Sequence, residues 1–190
     1  MSTIVVVRKA GKLCIAADTL TSFGDTRLPP QYDRYHDKIQ AFGGGYLGIV
    51  GSAAHTLVVE HAARNESIDA DLSSREGIFS TFLSLHGLLK DKYFLNAKAE
   101  DDDPYETTHI EAVIAHPKGI FAVYGLRDVT EFERFWAVGS GAEFALGAMH
   151  ALYERLDDAE AIARAGVEAG AEFNTASGLP VTSRVMEEDS

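Results

Sequence analysis

The sequence predicts an α+β fold, a four-layer αββα sandwich, on three observations. Its first half reads as two β-hairpins followed by two helices, and its second half repeats that order. In both halves the period changes from two to 3.6 at a Gly-Ser step, Gly51-Ser52-Ala53 and Gly139-Ser140-Gly141. Antiparallel sheets that must each bury one face, with a helix pair following each, are satisfied by stacking sheet on sheet and covering both outer faces with helices.

Taken in order, Thr3-Ile4-Val5-Val6-Val7-Arg8 is a β-branched strand, Ala10-Gly11 is a turn, and Lys12 to Asp18 runs back as the partner strand. The polar stretch that follows, with Gly24-Asp25 and Pro29-Pro30, is predicted to be an exposed loop without a ladder, functional by its length. Lys38 to Phe42 and Tyr46 to Val50 form a second hairpin around Gly43-Gly44-Gly45. Apolar residues at helical spacing (Leu57, Val58, Ala62) then predict a helix over 53–64. Ser73-Ser74-Arg75-Glu76 resembles a capping box opening a second helix whose inner face is Ile78, Phe82, Leu85 and Leu89. After the acidic insert Glu100-Asp101-Asp102-Asp103 come strands over 110–115, 120–124 and 135–138, and helices over 141–156 and 158–173. One domain over residues 1–190 accommodates all of this.

Composition narrows the function. Seventeen Lys and Arg against 29 Asp and Glu give a formal charge of −12, which repels phosphate backbones and anionic lipid; no nucleic-acid and no membrane partner is expected, and any charged partner should be basic. No run approaches the about 18 apolar residues of a membrane span, no secretory signal pattern opens the chain, and the one cysteine, Cys14, lies in an apolar alternating run. A cytoplasmic, reducing location follows as the expectation. The seven histidines are scattered without ligand spacing, and Gly43-Gly44-Gly45 lacks the Lys-Ser/Thr of a phosphate loop.

The residues able to do chemistry gather at one end of the first hairpin. Ser2 follows the initiator methionine, a small residue of the kind whose Met is removed, and removal would leave a free α-amine on the same residue as a hydroxyl. An α-amine with a reference pKa of about 8 can take that hydroxyl's proton near neutral pH. Asp18 ends the strand antiparallel to the N-terminal one, so it shares an end with Ser2. Lys38 opens the next strand, where its charge would favour the deprotonated amine and hydroxyl while Asp18 keeps the lysine charged.

These stretches, Ser2-Thr3-Ile4-Val5-Val6-Val7-Arg8-Lys9, Ile15-Ala16-Ala17-Asp18 and Ser22-Phe23-Gly24-Asp25-Thr26, resemble the start of HslV, the bacterial proteasome-type peptidase; Ala137 to Ala142 and Ala148 to Leu152 resemble that family's Gly-Ser-Gly step and following helix. The resemblance runs through nearly the whole chain and implies an N-terminal-nucleophile hydrolase of the proteasome β-subunit kind. By residue, it implies Ser2 as nucleophile where threonine is usual, Asp18 and Lys38 as charged partners, Gly48 as the oxyanion-hole N–H, and Ser140 as the serine near the terminal amine, able also to cap the following helix with Glu143. Asn174-Thr175-Ala176-Ser177-Gly178 matches an Asp-x-x-Ser-Gly segment with Asn replacing Asp, placing Asn174 and Ser177 in the site. The same turn in HslV offers carbonyls to a monovalent cation, which implies Ala171, Asn174 and Ser177 as ligands of a sodium ion here; no other cofactor is implied.

The family implies a homo-oligomeric double ring of 12 to 14 subunits, peptide or unfolded polypeptide substrates, and an AAA+ unfoldase ATPase as partner. The long loop before Lys38, the acidity and the tail Glu187-Glu188-Asp189 point to a divergent branch of HslV descent, a bacterial proteasome homologue. Two other readings use the same residues: a catalytically silent ring subunit, and a non-proteolytic N-terminal-nucleophile amidase.

Overall fold

A computed structural model describes residues 2–51, 53–66, 68–95 and 104–189; the acidic insert over 100–103 lies outside them. β1 (Ile4–Lys9) and β2 (Lys12–Asp18) pair in register from Ile4 opposite Ala17 to Lys9 opposite Lys12, with Gly11 at φ +73 in the turn. β-branched residues dominate β1, where the pleat lets both faces pack. β5 (Ile39–Phe42) and β6 (Gly45–Val50) form the second hairpin, followed by α1 (Ala53–Asn65) and α2 (Arg75–Asp91). β7 (Glu111–His116), β8 (Gly119–Val123) and β10 (Phe135–Val138) lead to α3 (Ala142–Tyr153) and α4 (Ala159–Phe173).

With β9 (Val129–Phe132) and β11 (Val181–Glu187), the strands make a five-stranded sheet ordered β5-β6-β7-β8-β9 and a four-stranded sheet ordered β10-β1-β2-β11. Three apolar layers hold the sandwich. Leu47, Ile49, Ala112 and Ile114 pack under Val59, Phe82 and Leu85 of α1 and α2. Ile4, Val6 and Ile15 meet Val50, Val113 and Ala122 between the sheets. Val5, Val7 and Cys14 pack under Met149, Ile162 and Val167 of α3 and α4. Alternation along β1 thus sends Ile4 inward and Val5 outward, and each fully buried aliphatic contributes about 1.5–3 kcal/mol. Cys14 belongs to this core; burial pushes its thiol up to about 12, so it has no role as a nucleophile.

Four expectations need correcting. The stretch after Asp18 holds a small ladder of its own, β3 (Thr21–Phe23) with β4 (Thr26–Leu28), because Gly24 at φ +59 permits a tight reversal; a single-turn 3₁₀ helix over Pro30–Tyr32 follows. The cap of α2 is Ser74, whose side chain accepts from the Gly77 N–H, one residue later than the Ser73-to-Glu76 box. The helix after Ser140 is capped at Gly141 with no side-chain bond, so Ser140 is not its cap. Two strands escaped the sequence pattern: β9 (Val129–Phe132) and β11 (Val181–Glu187), which pairs with β2 along its whole length. No helix among the described residues is long and apolar enough to cross a membrane.

Candidate active site

At the open end of the β1–β2 hairpin the Thr3 N–H donates to Asp18 Oδ1 at 2.9 Å while the Asp18 N–H donates to the Thr3 carbonyl at 3.1 Å. Asp18 is fully buried, where a carboxylate is tolerated only if its lone pairs are filled. They are: Lys38 Nζ donates to Oδ1 at 2.7 Å, and the N–H groups of Leu20 and Gly178 donate to Oδ2 at 3.2 and 2.9 Å. Lys38 Nζ donates in addition to the Leu20 carbonyl at 2.8 Å. Burial pushes the Lys38 ammonium below its ordinary value, and the Asp18 carboxylate opposes that shift. Ser2, itself buried, is the residue next along from this cluster.

On the other side of the N-terminal strand lies a hydroxyl and amide chain. Thr3 Oγ1 and Ser177 Oγ are 2.7 Å apart, Ser177 Oγ donates to Asn174 Oδ1 at 3.5 Å, and Ser140 Oγ donates to the same oxygen at 2.9 Å. Asn174 Nδ2 returns a bond to the Ser140 carbonyl at 3.0 Å, and the Ala176 N–H donates to Asn174 Oδ1 at 3.0 Å. The amide orientation is fixed by these bonds, since only nitrogen can donate to the Ser140 carbonyl. The Gly141 N–H donates to the Ser2 carbonyl at 3.3 Å. A Cβ on Gly139, at φ +92, would overlap that carbonyl, and one on Gly170 would run into the Thr3 side chain. Glycine at both places lets the Gly-Ser step and α4 close on residues 2 and 3.

The structure therefore brings Ser2, Asp18, Lys38, Ser140, Asn174 and Ser177 to one end of the sandwich, and gives Gly48 a different place. Gly48 is buried mid-strand between Ile39 and Val113, and its missing Cβ makes room for Ile4 of the facing sheet, whose Cγ2 would stand 2.7 Å away. Gly48 is a packing glycine. Two steps on, Val50 is the residue of β6 that lies beneath Gly139, with Cγ1 3.2 Å from the Cβ position there, so the glycine at the Ser2 end is Gly51, exposed and at φ +119. Its signal was present in the repeated Gly-Ser phrase. The backbone donors of Leu20 and Gly178 and the packing of Thr3 were not legible, since Gly178 arrives from 160 residues away.

Known proteins resemble the chain that carries this cluster. The ATP-dependent protease subunit HslV of Bartonella quintana (strain Toulouse) is 30% identical over 176 residues, which cover 90% of this chain and 82% of that protein. The chain belongs to the HslV family. Solved structures agree: the bacterial proteasome homologue BPH of Thiobacillus denitrificans superposes with a TM-score of 0.92, at 43% identity over 98% of both chains, and again at 42% identity over 99% of this chain and 100% of that one in its complex with epoxomicin. HslV from Trypanosoma brucei, at 18% identity and a TM-score of 0.67 over 98% of this chain and 99% of that one, shares the fold. No protein-family model matches the sequence. An HslV-like chain with this sandwich is an N-terminal-nucleophile hydrolase of the proteasome type, within a family of self-compartmentalising peptidases.

Proposed function

We propose that this chain is a peptidase subunit in which Ser2, exposed by removal of Met1, is the nucleophile. The observation that carries the reading is the buried Asp18–Lys38 pair, tied through the Thr3 N–H to the residue that follows Ser2. Burying an ion pair at a strand end gains a protein little stability, so its retention at this place suits chemistry.

The Ser2 α-amine takes the hydroxyl proton as Oγ attacks the peptide carbonyl carbon. Lys38, positively charged through Asp18, lowers the cost of the alkoxide. The oxyanion accepts from the Gly51 N–H, which replaces the Gly48 donor of the sequence reading; one such donor is worth about 3 kcal/mol. Collapse breaks the C–N bond, the leaving amine takes the proton from the ammonium of Ser2, and water then hydrolyses the Ser2 ester by the same base. Ser140, whose hydroxyl proton is committed to Asn174, offers a lone pair to the amine. Serine lacks the methyl that stiffens χ1 in threonine, so its hydroxyl is less pre-oriented.

The C-terminal turn of α4 fits a monovalent cation in part. Helix carbonyls end there without intrahelical partners, and the helix dipole favours positive charge. Asn174 N–H already donates to the Gly170 carbonyl and the Asn174 carbonyl already accepts from the Ser177 N–H at 3.2 Å, leaving one lone pair of that oxygen for a sodium ion beside the Ala171 and Ser177 carbonyls. Such an ion would hold the turn carrying Asn174 and Ser177. The working unit is a homo-oligomeric double ring of 12 to 14 subunits, cutting peptides or polypeptides that an AAA+ unfoldase delivers.

The relative solved with epoxomicin suggests the test. Mature protein incubated with an epoxyketone should gain one inhibitor mass on Ser2. A form retaining Met1 has an amide in place of the base and should not react. Lys38→Ala should react two to four decades more slowly, an order-of-magnitude expectation for losing the activating charge. Equal rates in all three would remove Ser2 from the mechanism.

A further inference from the structure

A second carboxylate adjoins Lys38 along the chain and has no task in the chemistry above. Lys38 precedes β5, an edge strand whose ladder with β6 starts at Ile39 opposite Gly48, so the ladder does not reach it. Its ammonium is held by Asp18 and by the Leu20 carbonyl, but a flexible four-carbon stem separates that head from the backbone. The charge keeps its place at the Ser2 end only if the backbone at Lys38 has an anchor of its own.

Asp37 supplies it. Its Oδ1 accepts from the Ile39 N–H at 3.0 Å, spanning Lys38, and from Thr182 Oγ1 at 3.2 Å, while its Oδ2 accepts a charge-assisted bond from Arg184 Nη2 at 2.5 Å. Thr182 and Arg184 are two apart on β11 and share a face; they pair with Ala17 and Ile15 of β2, which lie in the layer between the sheets. β5 and β11 are edge strands of the two different sheets, and Asp37 clasps one to the other across 145 and 147 residues of chain. The same β11 begins with Val181 opposite Asp18. Asp37, Lys38, Asp18 and β11 thus close a loop of contacts in which each fixes the next. The Arg184 and Asp37 side chains are 40% and 33% exposed, and a pair so exposed adds little to stability; what it fixes is position.

Resting on the peptidase reading, we propose that Asp37 is a positioning residue: held by Thr182 and Arg184, it sets the backbone of Lys38 so that the lysine charge stays beside Asp18 and the Ser2 amine. It acts through Lys38. Misplacement of an active group by about 1 Å costs up to a hundredfold in rate. When the lysine charge recedes, the Ser2 amine loses a neighbour that favours its neutral form, its pKa rises toward the ordinary value of about 8, and less base is available at neutral pH. A clasp that only strengthened the sheet edges would alter melting and leave that titration where it was.

The test follows epoxyketone acylation as a function of pH, with melting curves beside it. Asp37→Ala should acylate about tenfold more slowly at pH 7, with its pH–rate profile moved up by about half a unit. Asp37→Asn keeps an oxygen for Ile39 and Thr182 but drops the charge, and Arg184→Ala removes the partner; each should lose roughly threefold with the same direction of shift, whereas Arg184→Lys, which keeps a cation, should lose less than about twofold. On a Lys38→Ala background, adding Asp37→Ala should cost nothing further, since the residue it positions is gone. Asp37→Asn should assemble like the parent and melt within about 2 °C of it, so it carries the test if Asp37→Ala does not fold. Parental rates in both Asp37→Asn and Arg184→Ala, slower rates on an unmoved profile, or a further loss on the Lys38→Ala background would each overturn the assignment. Parent protein that takes up no epoxyketone removes the peptidase reading instead, so the two failures are distinguishable.

Discussion

Two glycines end two strands at the same mouth of the sandwich, and their surroundings differ. Gly139 follows β10 and Gly51 follows β6; both have positive φ, +92 and +119, and both lead into a helix. A Cβ at Gly139 would overlap the Ser2 carbonyl, whereas a Cβ at Gly51 would meet nothing closer than the His109 carbonyl at 3.8 Å. One Gly-Ser step closes on the N-terminal strand and fixes it. The other leaves the Cβ side of its backbone uncovered. A repeated sequence phrase thus marks two halves of one site, and the local backbone does not reveal which half does which; only the packing does.

The sharpest way to break this comparison is Gly139→Ala. The new methyl meets backbone, which cannot swing aside, and the left-handed φ adds about 1–3 kcal/mol of strain. Displacing Ser2 by even an ångström should lower epoxyketone acylation about a hundredfold or more, together with a clear fall in melting temperature. Gly51→Ala keeps the strain but has room for the methyl. Its expected signature is a loss of acylation of roughly tenfold to a hundredfold through a displaced N–H donor, with a smaller loss of stability than Gly139→Ala. If Gly51→Ala acylates at the parental rate, Gly51 is not the oxyanion donor.

The next effect concerns the charge beside Ser140. Asn174→Asp removes the amide that donates to the Ser140 carbonyl and puts a negative charge near the Ser2 amine. That charge favours the ammonium, so the base is less available at neutral pH. Acylation at pH 7 should fall about tenfold and recover at alkaline pH, moving the pH–rate profile up by about one unit. A profile that drops without moving would give Asn174 a purely structural role.

The same contrast explains what was legible beforehand. The hairpin register placed Ser2 beside Asp18 because pairing within a short hairpin is local, and the apolar alternation of β1 and β2 admits one register. Lys38 followed from the strand it opens. β9 and β11 were missed because neither carries an apolar alternation: Val129–Phe132 and Val181–Glu187 are edge strands with mixed burial, and their existence depends on partners distant in sequence. The Gly48 assignment failed for a related reason. Gly48, inside β6, and Gly51, just beyond its end, look alike in sequence, and the facing Ile4, contributed by another sheet, is what marks Gly48 as packing. β11 matters most, since the turn before it delivers the Gly178 N–H to Asp18.

The smallest effect tests whether the Gly51 side is coupled to pH. His55, in the first turn of α1, stacks on His109 with ring centroids 6.5 Å apart and 20° between planes, and among the described residues His55 Nδ1 and His109 Nε2 are buried without hydrogen-bond partners. Burial pushes the His55 imidazole below its ordinary value, and a charge on His109 pushes it the same way. The unfolded chain therefore binds a proton that the folded chain resists. Stability is full above the unfolded value near 6.5 and is lost as pH falls from there through the lower folded value. Discounted for solvent screening at a partly exposed ring, the loss should be about 0.5 kcal/mol, or roughly 1–2 °C of melting temperature between pH 7 and pH 5. His55→Asn should remove that increment and leave the pH dependence of Asn174→Asp acylation untouched, because His109 lies on the Gly51 side, its carbonyl 3.8 Å from the Cβ position of that glycine, and not at Ser140. The measurement is a pair of melting curves at pH 7 and pH 5 for parent and variant; an identical drop in both would assign the acid sensitivity to carboxylates elsewhere and uncouple the histidines from the open glycine.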